Sequence, residues 1–337
     1  MTMNKDKSEL WRDLTDPRRA VGLDDLEAGL KEPVFENLEI PEEFGPVSII
    51  IDDHKIKRFS FTQDDYNPWY LQAGPDGGAR IGQACLLGND LVQLFTLKYR
   101  GSRTVGFHTE EQMWFDSPVR IGEKVTMKGA YIESYIRRGQ GYVIMEAQAT
   151  GEDGRSIVRH RGVEILHTIP GAIGGRASDT PVRAVTGELP QNPNYIHRID
   201  ANTKIGDVLS PLDKVITAEQ TAVFSRIGEY VKNTHSDIEI ARKGQLPVPI
   251  VQGQQQAGVF GELMVRAFGP SWFTDGWFQL KFIAPLQVFD PISLTGKVAA
   301  ITQESDGKTK IELEVWSRRA SDDRMTVVGW ASCKLAL

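Results

Sequence analysis

Cysteine is almost missing from this chain. Cys85 and Cys333 are the only two in 337 residues, too few for a disulfide framework or a four-cysteine zinc site. Basic residues are in the minority: 39 Lys and Arg stand against 45 Asp and Glu, for a net charge of −6. A nucleic-acid groove needs a basic face to neutralise phosphates, so that class is set aside. Long apolar runs are lacking too. Residues Met1 to Trp11 are hydrophilic, without the apolar core of a secretory signal, and the run Val47 to Ile51 is far too short to cross a bilayer. A cytoplasmic protein with no membrane partner is expected. There is no Walker phosphate loop, Gly-x-Ser-x-Gly elbow or His-Glu-x-x-His stretch. The six histidines are scattered without metal-ligand spacing. Gly74, Gly77, Gly78 and Gly82 follow a Pro-Trp-Tyr turn rather than a strand, so they read as a loop and not as a dinucleotide fingerprint. Neither a metal nor a cofactor is expected.

What remains is an ordinary globular composition, with 25% charged and 9% aromatic residues, and a length that predicts two domains at about 150 residues each. The informative feature is an internal repeat. Phe115 opens Phe-Asp-Ser-Pro-Val-Arg-Ile-Gly-Glu, and Phe282 opens Phe-Ile-Ala-Pro-Leu-Gln-Val-Phe-Asp. Pro118 matches Pro285, Glu123 matches Asp290 and Gly129 matches Gly296, each pair 167 positions apart. One supersecondary unit at half the chain length points to duplication rather than a solenoid of short repeats.

Each unit reads as one helix followed by strands. Ile81, Ala84, Gly88, Leu91 and Phe95 fall at helical steps, as do Ala257, Gly258, Gly261, Met264 and Phe268 within Val251 to Phe268. Strand-like stretches follow from 103–115, 124–137, 141–150 and 156–166, and again from 276–284, 292–301, 308–317 and 325–335. The expected organisation is a helical lead segment over 1–45, a first domain over 46–167, a Gly/Pro-rich linker over 168–204 and a second domain over 205–337. Helix packed on an antiparallel sheet makes the class α+β.

This order of turn motif, buried helix, Phe-x-x-Pro-Val-x-x-Gly-Glu and three strands resembles the MaoC-like (R-specific enoyl-CoA hydratase/dehydratase) family. The family's Gly-Asp-x-Asn-Pro-x-His motif is matched in the first unit by Asp65, Asn67 and Pro68, with Tyr70 in the histidine position. In the second unit His235 matches. Glu229 takes the aspartate position if one residue is inserted, and Tyr230 takes it if none is. Pro249-Ile250-Val251-Gln252-Gly253 matches the family's helix entry, with Gln252 in place of histidine.

The resemblance, over residues from about 46 to 335, implies a double hot-dog fold: two antiparallel sheets, each wrapped around a long central helix. The two units would form a pseudo-dimer within one chain, and a homodimer of such chains is a further expectation. It also implies a lyase that adds or removes water at an α,β-unsaturated acyl thioester, carried by CoA or by an acyl-carrier protein. That reaction needs a base for water, a proton for the α-carbon and donors for the enolate oxygen. His235, Glu229 and Asp65 are the implied catalytic residues. Gly253, Gln252, Asn67, Tyr70 and Tyr230 are implied on the substrate, with the Gly253 N–H as oxyanion donor at a helix N-terminus. A hot-dog acyl-CoA thioesterase and a non-catalytic acyl-CoA binding protein are the alternatives.

Overall fold

The computed structural model describes residues 27–104, 106–166, 184–225, 233–243 and 246–337. Residues 1–26 of the expected lead segment and 168–183 of the expected linker lie outside these. In the first half the strands are β1 (Glu42–Ile50), β2 (Gly106–Phe115), β3 (Lys124–Arg137), β4 (Gln140–Gly151) and β5 (Ser156–Leu166). Short strands β6 (Tyr195–Ile196), β7 (Val208–Leu209) and β8 (Leu212–Val215) follow. The second half adds β9 (Gly276–Phe282), β10 (Pro291–Gln303), β11 (Thr309–Arg319) and β12 (Met325–Leu335). All belong to one twelve-stranded sheet, ordered β1-β3-β4-β5-β2-β9-β12-β11-β10-β7-β6, with β8 also on β10.

Alternation along the strands decides which face is core. Val125 and Met127 on β3, and Ile311, Leu313 and Val315 on β11, point inward and are buried. The halves join where β2 pairs antiparallel with β9. Gln112 stands directly opposite Gln279 there, and these two residues are the same position of the repeat, 167 apart. The pseudo-two-fold axis therefore passes between them, and the two hot-dog sheets merge into one.

The helix Gly253–Phe268 runs through the core, and all of it except Gly253 and Arg266 is buried. Each large apolar side chain on it, such as Phe260, Leu263 or Phe268, contributes about 1.5–3 kcal/mol by leaving water. Its small residues have a definite use. A Cβ at Gly258 would come within 2.7 Å of the Gln63 amide, and one at Gly261 within 2.8 Å of Cys85 Sγ, so both glycines let the first half pack against the helix.

Two expectations need correction. The first half has no long central helix: Gly88–Val92 is a single short helix, continued by a 3-10 turn over Gln93–Leu97. Ile81, Leu91 and Phe95 are buried as their spacing predicts. The segment packs against the second half's helix, however, and Gly88 sits where a Cβ would strike Gln254 Oε1 at 2.7 Å. Close packing of irregular backbone meets the same burial pattern without a continuous helix. The second correction concerns the lead segment. β1 runs across the expected 45/46 boundary and pairs with β3 from Glu42↔Tyr131 to Ile50↔Lys124.

Candidate active site

The site is built where the central helix begins. Bridging of Ile250 with Gln287 and the bonds Val251 N–H to Leu286 O and Val288 N–H to Pro249 O fix the chain entering Gly253. Gln252, the N-cap, gives no side-chain hydrogen bond to the first turn, which leaves those N–H groups uncapped by it. A cavity of about 450 Å³ opens at this end, lined by Gln252, Gly253, Gln254 and Gln256 of the helix entry, by His235, and by His108 and Glu164 of the first half. Gly253 is tight against the first half: a Cβ there would lie 3.1 Å from His108 Cβ and 3.2 Å from Phe282.

His235 is held in one tautomer. Asn233 Oδ1 accepts the His235 backbone N–H at 2.9 Å, which fixes the turn. The ring Nδ1 lies 2.7 Å from Ile250 O, and because a carbonyl only accepts, Nδ1 carries the proton. Nε2 is then the basic nitrogen. Burial lowers the pKa of the ring, against a smaller opposing effect of the Ile250 carbonyl. His235 is therefore neutral near pH 7.

Asp65, Asn67 and Tyr70 are not brought to this cavity. Asp65 Oδ1 accepts the Asn67 N–H at 3.3 Å, and Asn67 Oδ1 accepts the Trp69 N–H at 3.0 Å as N-cap of the short helix Pro68–Leu71. Burial raises the Asp65 pKa to about 7, and the nearby Glu262 carboxylate adds to it. The turn geometry also makes Tyr70 and His235 equivalent positions. Ile81 N–H bonds Trp69 O just as Ile250 N–H bonds Thr234 O. Tyr70, however, is fully buried at 1% exposure. The same alignment puts Ala84 where the second half has Gly253, in a stretch with no helix start. Glu229 and Tyr230 lie outside the described residues.

Sequence reasoning missed a polar cluster on the cavity wall. Glu111, with no exposure, lies 2.6 Å from His160 Nδ1 and 2.9 Å from His108 Nε2, and it accepts from Gln254 Nε2 at 2.6 Å. His108 Nδ1 in turn lies 3.4 Å from Glu164. The sheet builds this arrangement in two ways. A bulge between His108 and Glu110 in the β2–β5 pairing turns His108 onto the inward face that Glu111, Met113 and Phe115 share. Gly162 gives the rings room, since a Cβ there would be 2.8 Å from His160 and 3.3 Å from His108. Burial opposes charge on His108, but the adjacent carboxylates of Glu111 and Glu164 outweigh it and raise its pKa to about 10. Burial likewise opposes charge on Glu111, and the two imidazoles overcome it and keep that carboxyl below its ordinary range. The signal in the sequence was Glu111 itself, a carboxylate in phase with Met113 and Phe115.

Among the described residues no group of three or more His, Cys, Asp or Glu has metal-binding geometry, and no helix is long and apolar enough to cross a membrane. The basic cluster Lys98, Arg100 and Arg103 pairs with Glu42 and Glu32. Cys85 is buried with its pKa pushed up, as a core thiol would be.

The architecture is the double hot-dog fold. A MaoC-like dehydratase superposes with a TM-score of 0.64 at 13% identity, covering 92% of this chain and 99% of its own. A Mycobacterium tuberculosis protein described as having a double hotdog fold gives 0.64 at 15% identity, over 90% and 98%. A putative MaoC domain protein dehydratase from Chloroflexus aurantiacus gives 0.63 at 10%, over 90% and 97%. No protein-family model and no curated protein matches the sequence.

Proposed function

We propose that the protein adds or removes water at an α,β-unsaturated acyl thioester, carried by CoA or an acyl-carrier protein. The observation that carries this reading is that a neutral His235, with Nδ1 tied to Ile250 O, shares a cavity with the uncapped start of a sixteen-residue helix at Gly253. In the hydration direction the thioester oxygen faces the Gly253 N–H, where the helix dipole favours developing negative charge. Water attacks the β-carbon as its proton passes to His235 Nε2. The enolate then collapses, and the same proton is delivered to the α-carbon, which regenerates the neutral imidazole. Dehydration is the reverse.

Gln252 and Gln256 supply amides along the wall for the thioester or its carrier arm. The hot-dog neighbours named as dehydratases support the same reading at the level of fold. Only the second half supplies this machinery, because the first has Tyr70 and Ala84 at the two key positions.

The test is hydration of a panel of 2-enoyl-CoA thioesters, followed as loss of the conjugated double bond. Turnover in the wild type, largely lost in His235→Ala, supports the reading. Tight acyl-CoA binding without turnover indicates the binding-protein alternative, and release of free CoA indicates the thioesterase.

A further inference from the structure

Of the two carboxylates the resemblance implies, Asp65 lies away from the cavity and Glu229 lies outside the described residues. We propose that Glu164 of the first half is the carboxylate that holds the attacking water, and that His108 is its positioning residue. This rests on the hydratase reading above.

Glu164 lines the same cavity as His235 and Gly253, its side chain 15% exposed while that of Glu111 is sealed. It pairs with His108, and His108 is in turn anchored from below. Glu111 holds His108 on one oxygen, is contacted by His160 on the other and is bound by Gln254 from the first turn of the central helix. One buried carboxylate thus ties the ring that supports Glu164 to the helix end that offers the oxyanion donors. Phe282 closes the remaining side, with its ring edge-to-face on His108 at 5.3 Å.

The duplication supplies an internal control. Asp116 and Ser117 N–H both reach Ile157 O, as Ile283 and Ala284 N–H both reach Thr326 O, which aligns the strand pairs of the two halves. From these points Glu111, His160 and Glu164 correspond to Phe278, Gly329 and Cys333. Phe278 and Cys333 are fully buried. The fold is therefore satisfied by apolar or absent side chains here. At these three positions the polar groups occur only in the half that faces the competent helix start. Burying several charges without need would be costly, so their confinement to one half argues for a role in the reaction.

In the step itself Glu164 accepts one hydrogen bond from the water and directs a lone pair at the β-carbon. The other water proton goes to His235 Nε2 and on to the α-carbon, so Glu164 ends the cycle unchanged.

The experiment measures kcat and KM for hydration of crotonyl-CoA, with circular dichroism and thermal melts on each variant. Glu164→Gln should lower kcat by about 10–10²-fold, the scale of losing a hydrogen bond to a charged group, with KM changed only a few-fold. Should Glu164→Gln fold poorly, Glu164→Asp keeps the charge but withdraws it from the cavity, and it should lose at least about tenfold in kcat. His108→Gln separates positioning from packing. Among the described residues, the charged groups facing His108 are Glu111 and Glu164, with the His160 ring 6.5 Å away; Gln254 and Phe282 of the other elements are neutral, and His235 lines the same cavity. Wild-type kcat should fall as pH rises towards about 10, where the His108 charge is lost. The His108→Gln protein should have a lower kcat without that limb. Full activity in Glu164→Gln alongside an inactive His235→Ala overturns the assignment of Glu164 and leaves the hydratase reading standing. A wild type inactive on every enoyl thioester overturns both.

Discussion

His235 Nδ1 donates to Ile250 O at 2.7 Å, so the imidazole is oriented by the same short stretch of backbone that leads into Gly253. The proposed base and oxyanion donor are therefore positioned by one piece of chain.

From this coupling comes a prediction about pH. A ring whose pKa is depressed below the ordinary 6.5 stays neutral further into acid. Turnover through Nε2 should hold down to about pH 6.5 and fall only below that, as the base is protonated. His235→Ala should fold, lose about 10²–10⁴-fold in turnover and show no acid limb in what remains. A wild-type acid limb well above pH 6.5 would assign the titration to another group.

Gly253 offers a second check. Its backbone does not require glycine, but a side chain there presses on His108 Cβ and Phe282. Gly253→Ala should displace the helix start from the thioester by a few tenths of an ångström. We expect a loss of about tenfold in kcat/KM, with a melting temperature within a few degrees of wild type. A Gly253→Ala enzyme with unchanged kinetics would remove this N–H from the oxyanion site.

Asp65 provides the contrasting case. Its pKa is raised by burial from 3.8 in the unfolded chain to about 7 in the fold. The folded state thus binds the extra proton between these values, and stability falls as pH rises through that window, remaining low above it. Asn keeps the oxygen that accepts the Asn67 N–H. A tenfold difference in proton affinity between folded and unfolded chain is worth about 1.4 kcal/mol, so Asp65→Asn should gain on the order of 2–4 kcal/mol at pH 8 and almost nothing at pH 4. Hydration should be unaffected. Denaturant melts at the two pH values measure the first, and the enoyl-CoA assay the second.

Strand alternation made most of the sheet legible. β3, β5 and β12 begin and end where their patterns do. β1 was hidden because Gly45 and Pro46 interrupt Glu42–Ile50, and only Glu42 and Phe44 at its start are well buried. The first-half helix misled for a different reason. Ile81, Leu91 and Phe95 do face the core, but helical spacing of buried residues does not guarantee helical hydrogen bonds when a second helix supplies the packing surface. His235 and Gly253, which line one cavity, were legible as candidates because their motif is local. His108, Glu111, His160 and Glu164 were not. They meet only through the pairing of two strands distant in sequence, and the bulge beside Thr109 breaks the period-two pattern that would have put His108 in phase with Glu111.

The seam between the halves gives the last prediction. Gln112 and Gln279 pair across the pseudo-two-fold axis, and Met113 and Phe278 beside them are fully buried. A second half expressed alone, residues 184–337, would expose the β9 edge and the Phe278 side chain, a template for pairing with another strand. Because Gln279 lies on the local axis, two copies of β9 can pair with each other in the register that β2 now provides. Such a half should dimerise or aggregate, as followed by light scattering on a sizing column. Directly opposed residues in antiparallel strands have Cα atoms about 4.5–5.5 Å apart, within the span of a disulfide. The isolated half carrying Gln279→Cys should therefore oxidise to a covalent dimer, while the same change in the full chain, with Gln112 opposite, should not. A stable monomeric half with no crosslink would show that β9 does not need its partner strand.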